Sequence, residues 1–115
     1  MENLDTLIYC PGSINLKPIS TLSIDDFRND FEINVIGAVK AIKKYLPILK
    51  KANHPSVLLF STVATKLGMP YHASVSVAKS GVDGLVKTLG AELAPKIRIN
   101  AVSYTHLTLP TKVRV

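Results

Sequence analysis

At 115 residues the chain has room for one small domain, and its 47% apolar and 19% charged content excludes the low-hydrophobicity, high-charge balance of a disordered segment. No apolar run reaches the roughly 18 residues that a membrane helix needs, and the opening Met1-Glu2-Asn3-Leu4-Asp5 lacks the basic-then-apolar pattern of a secretory signal. A net charge of +6 leaves nucleic acid or an anionic surface open as partners, and a single cysteine, Cys10, excludes an internal disulfide and fits a reducing, cytoplasmic setting.

Residues 6–10 form a short apolar run ended by Pro11-Gly12, which predicts a buried strand entering a turn. A loop follows through Asn15 and Pro18. Ser23-Ile24-Asp25-Asp26 has the form of a capping box, with acids at the positive end of the helix that follows. That helix carries Phe27, Phe31, Val35, Ala38, Ile42 and Leu46 at three- and four-residue steps, one stripe to be buried. Pro47 is expected to bend or tighten its last turns. Lys40, Lys43, Lys44, Lys50 and Lys51 fall on its outer side without interleaved aromatics. They read as a solvated face, so neither nucleic acid nor membrane is expected as a partner.

Residues 56–61 are a second continuous apolar strand between Pro55 and a pair of hydroxyls. After a loop with Gly68 and Pro70, a second helix is predicted over 74–93. Its core stripe is Ala78, Val82, Leu85, Leu89 and Leu93. Ser76, Ser80 and Gly84 make a smooth second face that another helix could approach. Pro95 ends it, and 97–102 read as a third strand. Continuous apolar strands alternating with long helices predict an α/β fold, a parallel sheet covered on both sides and doubly wound by right-handed crossovers.

The stretch from Ser74 to Leu85, with Lys79 near the start of its helix, resembles the active-site helix of the short-chain dehydrogenases/reductases. The resemblance runs from about Leu4 to Val102 and implies the second half of a Rossmann-type domain. In that family a Tyr-x-x-x-Lys pair moves a proton beside NAD or NADP; here the lysine is present and the tyrosine slot holds Val75. Lys79 is implied to bind the nicotinamide ribose. The loss of a positioned acid typically costs roughly 10²–10⁴ in rate.

Three further places carry the resemblance. Tyr9-Cys10-Pro11-Gly12 stands where the family has Asn-Asn-Ala-Gly, and only Gly12 matches; Cys10, Pro11 and Gly12 are the implied cofactor-approach turn. Asn34, in Asn34-Val35-Ile36-Gly37, matches the asparagine that disturbs the long helix and holds a water in a relay to the lysine. Thr62, thirteen residues before Val75, takes the slot of the catalytic serine, with Ser61 the alternative if the loop is shifted by one. For the missing donor there are two candidates: Tyr71, eight residues before Lys79, and His72, seven before it, the spacing of the enoyl-thioester reductases. Each of these also has an ordinary reading: a strand-ending turn, a helix residue, a locally bonded hydroxyl, a pocket-lining aromatic.

The resemblance implies a small-molecule carbonyl or alcohol substrate, no metal, and a homo-oligomer paired through the two long helices. The glycine-rich turn that seats a pyrophosphate is not found. The expectation is a truncated gene product, residues 1–102, inactive as it stands and with a bare edge strand. The string from Val102 to Thr111 resembles a conceptual translation of a transposase adapter used in DNA sequencing, so 103–115 are expected to be an artefactual tail. Two other outcomes are a nucleotide-binding or assembly subunit without catalysis, and an enoyl-reductase-like variant that uses Tyr71.

Overall fold

The computed structural model describes residues 3–62 and 64–104. Three strands, β1 (Thr6–Ile8), β2 (Ser56–Thr62) and β3 (Arg98–Tyr104), form one parallel sheet in the order β1-β2-β3. The register pairs Leu7 with Val57, and Val57 in turn with Ile99. β3 continues through Ser103 and Tyr104, opposite Ser61 and Thr62. The rest of the expected tail lies outside the described residues.

The first crossover starts as the sequence predicts. The Ser23 hydroxyl accepts from Asp26 N–H at 3.0 Å, and an Asp26 carboxylate oxygen accepts from Ser23 N–H at 3.0 Å. Lys17 bonds the same carboxylate at 3.2 Å, and these contacts, led by the backbone bond, hold Asp26 below the usual carboxylate range. The long helix is then interrupted. It comprises α1 (Ile24–Phe31), a π turn over Glu32–Ile36, and α2 (Gly37–Leu49). α2 passes through Pro47 without ending. A four-residue helix α3 (Ala64–Leu67) precedes α4 (Ala73–Leu93).

Among the described residues the sheet is covered on one side, not on both. α1 and the π turn pack directly against α4, so both long helices lie on one face. The reason is topological: two right-handed crossovers that step in the same direction stack on the same side, and only a reversal of strand order moves a helix across. The strands accordingly alternate. Val57, Leu59 and Ile99 are buried under the helices, whereas Leu58 and Phe60 are half-exposed and Arg98 and Asn100 exposed. The continuous apolar runs had masked this period of two.

The core gathers Val35, Ala38, Ile42 and Leu49 from the first crossover, Val57 and Leu59 from β2, Val82 from α4, and Ile97 and Ile99. Phe31, placed in the stripe by its spacing, is exposed instead. Leu85, Leu89 and Leu93 sit at the core's margin. The outer lysines of α2 are exposed as expected, with Lys40 3.6 Å from Glu32. Gly81 lets the helices meet: a Cβ there would lie 2.9 Å from Val35 Cγ2.

Candidate active site

Parallel strands bring their carboxyl ends to one edge, where open α/β sheets bind ligands. β1 ends there in the turn 9–12, and β2 ends there in Ser61-Thr62. The π turn faces the same edge.

The π turn is built from three local facts. Gly37 N–H bonds Glu32 O, five residues back, instead of Ile33 O, its α-helical partner. Ile33 O instead accepts the Tyr9 hydroxyl at 2.5 Å. Burial, and then the charge of Glu32, push the Tyr9 phenol above its ordinary range, so it stays a donor. The ring lies where a side chain on residue 37 would be: a Cβ on Gly37 would meet Tyr9 Oη at 1.9 Å. Within this turn Asn34 is buried, and its Nδ2 donates to Asp30 O at 2.8 Å. Its Oδ1 is buried with no partner among the described residues.

That oxygen faces the Gly12 turn. A Cβ on Gly12 would stand 3.1 Å from Asn34 Oδ1 and 3.6 Å from Lys79 Nζ. The three residues singled out from separate motifs, Gly12, Asn34 and Lys79, therefore meet in one place. Lys79 is 4% exposed and donates to Phe60 O at 2.9 Å. Burial pushes its ammonium below the usual lysine range, and the charge of Asp83 opposes this in part. The bare turn, the unpartnered amide oxygen and the inward ammonium suit a polar ligand that approaches backbone closely, and they fit a nicotinamide nucleotide. Gly12, Asn34 and Lys79 are the residues that would hold it. Cys10 and Pro11 belong to the same turn and are exposed.

The other candidate residues have contacts of their own. Thr62 is buried, and its hydroxyl accepts Ala64 N–H at 3.3 Å, which starts α3. Ser61, facing the helices, donates to Lys79 O at 3.5 Å. Val75 is fully buried and takes the core side of α4, which the stripe drawn from spacing had omitted.

Tyr71 is 59% exposed and adopts a positive φ of 65°. It lines a mostly apolar cavity of about 490 Å³ between the loop 17–19 and the loop 68–73, with Ile19, Met69, His72 and Val77. Neither Lys79 nor Val75 lines it. His72 is buried, and its Nδ1 bonds Pro70 O at 2.7 Å; a carbonyl only accepts, so Nδ1 carries the proton.

The sequence reading missed Asp30, Ser13 and Asn15. Asp30 is fully buried and accepts from Ser13 Oγ at 2.5 Å and Asn15 Nδ2 at 3.0 Å. The signal was available: Asp30 stands three residues after Phe27 and four before Asn34, on the stripe that goes inward.

Comparison with known proteins agrees with this geometry. A family model described as enoyl-(acyl carrier protein) reductase matches residues 1–112. Trans-4-hydroxycyclohexanecarboxylate dehydrogenase of Sinomonas cyclohexanicum is 32% identical over 100 residues, which cover 86% of this chain and 38% of that protein. A short-chain dehydrogenase/reductase structure from Brucella melitensis superposes with a TM-score of 0.83 at 28% identity, over 90% of this chain and 43% of the other. A Shigella flexneri short-chain dehydrogenase complexed with NADP shares the fold at a TM-score of 0.85 and 20% identity, over 90% of this chain and 44% of the other. The chain spans about 40% of the length of the relatives it matches. No helix among the described residues is long and apolar enough to cross a membrane. The chain belongs to the short-chain dehydrogenase/reductase family and matches part of its Rossmann-type domain.

Proposed function

We propose that the chain is part of an NAD(P)-dependent oxidoreductase that acts on a carbonyl or alcohol, and that on its own it does not turn over. The observation that carries this reading is the meeting of Gly12, Asn34 and Lys79 at the carboxyl edge of a parallel sheet. The nicotinamide group supplies hydride chemistry when bound. The chain's own part is position and polarity. Gly12 keeps the turn low enough for close approach. The Lys79 ammonium offers donors to ribose hydroxyls, held in place through Phe60 O. Thr62 is the hydroxyl for a substrate oxygen, with Ser61 behind it. Cys10, exposed and free, fits a cytoplasmic setting.

Two other readings each have one observation in their favour. Val75, fully buried in the tyrosine slot, favours a subunit that binds nucleotide or assembles without catalysis. Tyr71 on the wall of an apolar cavity, with the family model's description, favours an enoyl-thioester reductase in which Tyr71 gives the proton. A homo-oligomer through the long helices is proposed on the open small face of α4, where a Cβ on Gly84 would meet nothing within 4 Å.

The test is done on the protein at its full natural length. NADH and NADPH binding is titrated by fluorescence, and oxidation is followed with a panel of ketones and enoyl thioesters. Turnover lost in Tyr71→Phe selects the enoyl-type reading. Binding without turnover on any substrate selects the non-catalytic subunit. No binding, in a protein whose Lys79→Met variant behaves identically, refutes the oxidoreductase reading.

A further inference from the structure

We propose that Asp30 is a positioning residue: its buried carboxylate, gripped by Ser13 and Asn15, holds the Gly12 turn against Asn34 and Lys79. The role of that turn in receiving a nucleotide rests on the oxidoreductase reading; the clamp itself rests on geometry alone.

Burying a carboxyl group has a cost that its neighbours must offset. Asp30 has no exposure, and no cation pairs with it among the described residues. A carboxylate taken from water is expensive unless donors replace the water. Two side chains do so, both on one oxygen and both from the loop after β1: Ser13 Oγ at 2.5 Å and Asn15 Nδ2 at 3.0 Å. The other oxygen, Oδ2, is buried with no partner. If the loop lifted, Asp30 would lose both its donors at once. The loop is therefore tied down at 13 and 15, immediately after the glycine that must stay close to Lys79.

The same residue acts a second time through its backbone. Asp30 O accepts Asn34 Nδ2 at 2.8 Å, which turns the other amide atom, Oδ1, toward Gly12. One residue thus fixes both walls of the site: the turn by its carboxylate, the amide by its carbonyl. Tyr9, from the strand end before the turn, bonds the same helix segment at Ile33 O.

The variants are Asp30→Asn, Ser13→Ala and the two combined, in the full-length protein. Hydrogen–deuterium exchange is compared between a peptide over 10–16 and one over 82–93, and KM for NADH and NADPH is measured beside kcat. The expected result is exchange faster by about tenfold in 10–16 with 82–93 unchanged, since local opening is released without global unfolding. KM for the nucleotide rises by more than kcat falls. The double variant is no worse than the worse single one, as one interaction can be removed only once. Unchanged exchange over 10–16, equal acceleration in both peptides, or additive effects of the two substitutions would each overturn the proposal. If 10–16 loosens as expected but the unsubstituted protein binds neither nucleotide, the clamp stands and the oxidoreductase reading fails.

Discussion

Replacing Gly37 with alanine should destabilise this protein, although alanine is the better helix former. A glycine-to-alanine change inside a helix is worth about 1 kcal/mol in the helix's favour. At this position the new Cβ would stand 1.9 Å from Tyr9 Oη and 2.9 Å from Tyr9 Cζ, distances no packing tolerates. The ring must leave. Its departure removes the hydrogen bond to Ile33 O, about 1 kcal/mol net, and the contact of a half-buried aromatic with the core margin, roughly another 1 kcal/mol. The balance is a loss of about 1 kcal/mol, or some 4–8 °C in Tm for a chain of this size. The sign reverses once Tyr9 is removed. In a Tyr9→Ala background nothing remains for the methyl group to strike, and Gly37→Ala should stabilise by about 1 kcal/mol. Urea denaturation followed by circular dichroism on the four proteins gives the coupling, expected near 2 kcal/mol. If Gly37→Ala has the same effect in both backgrounds to within about 0.5 kcal/mol, the account of the π turn is wrong.

Lys79→Met should raise stability at neutral pH while abolishing nucleotide affinity. Burial depresses the Lys79 pKa, so the unfolded chain holds that proton more tightly; the penalty is fully present below the depressed value and is relieved as pH rises toward 10.5. The methionine variant should lack that rise, and an unchanged stability-versus-pH curve would count against Lys79 as its source. Val75→Tyr should not restore activity by itself: Val75 has no exposure, and the larger ring overpacks its site at a cost of about 1–3 kcal/mol, read as a lowered Tm. An undiminished Tm would mean the slot has room that the structure denies. Tyr71→Gly should gain roughly 0.5–1 kcal/mol by relieving a positive φ of 65°, and an unchanged midpoint in urea would show that the conformation carries no strain.

The order of elements was legible because it rests on local signals. Ser23 and Asp26 announce a helix start, and the capping box is formed with both bonds at 3.0 Å. Glycine and proline punctuate the strands at residues 11–12 and 95. The sheet's one-sided packing was not legible from apolar runs, since a run of Val57-Leu58-Leu59-Phe60 hides which alternate residues go inward. That is decided by strand order, a long-range property. The break in the long helix was equally hidden from periodicity. A π turn adds one residue to a turn, so Phe31, just before it, falls out of phase with Ala38, just after it.

The site shows the same division in another form. Gly12, Asn34 and Lys79 could be picked out because each matches a motif of the family that the chain resembles, and rigid elements bring the three matches together in space. Asp30, Ser13 and Asn15 stand in no motif; what marks them is a charge on an inward stripe and two short polar donors in a loop, and only folding brings them together. The physical reason Asp30 must have partners is nonetheless visible in the sequence. An acid in phase with Phe27 and Asn34 has either to be exposed, which breaks the stripe, or to be bonded, which requires donors within reach. The loop after β1 contains them. The tyrosine slot follows the opposite logic. Val75 reads as a loss of chemistry, but in the fold its apolar side chain is fully buried, and its place on α4 is one of packing.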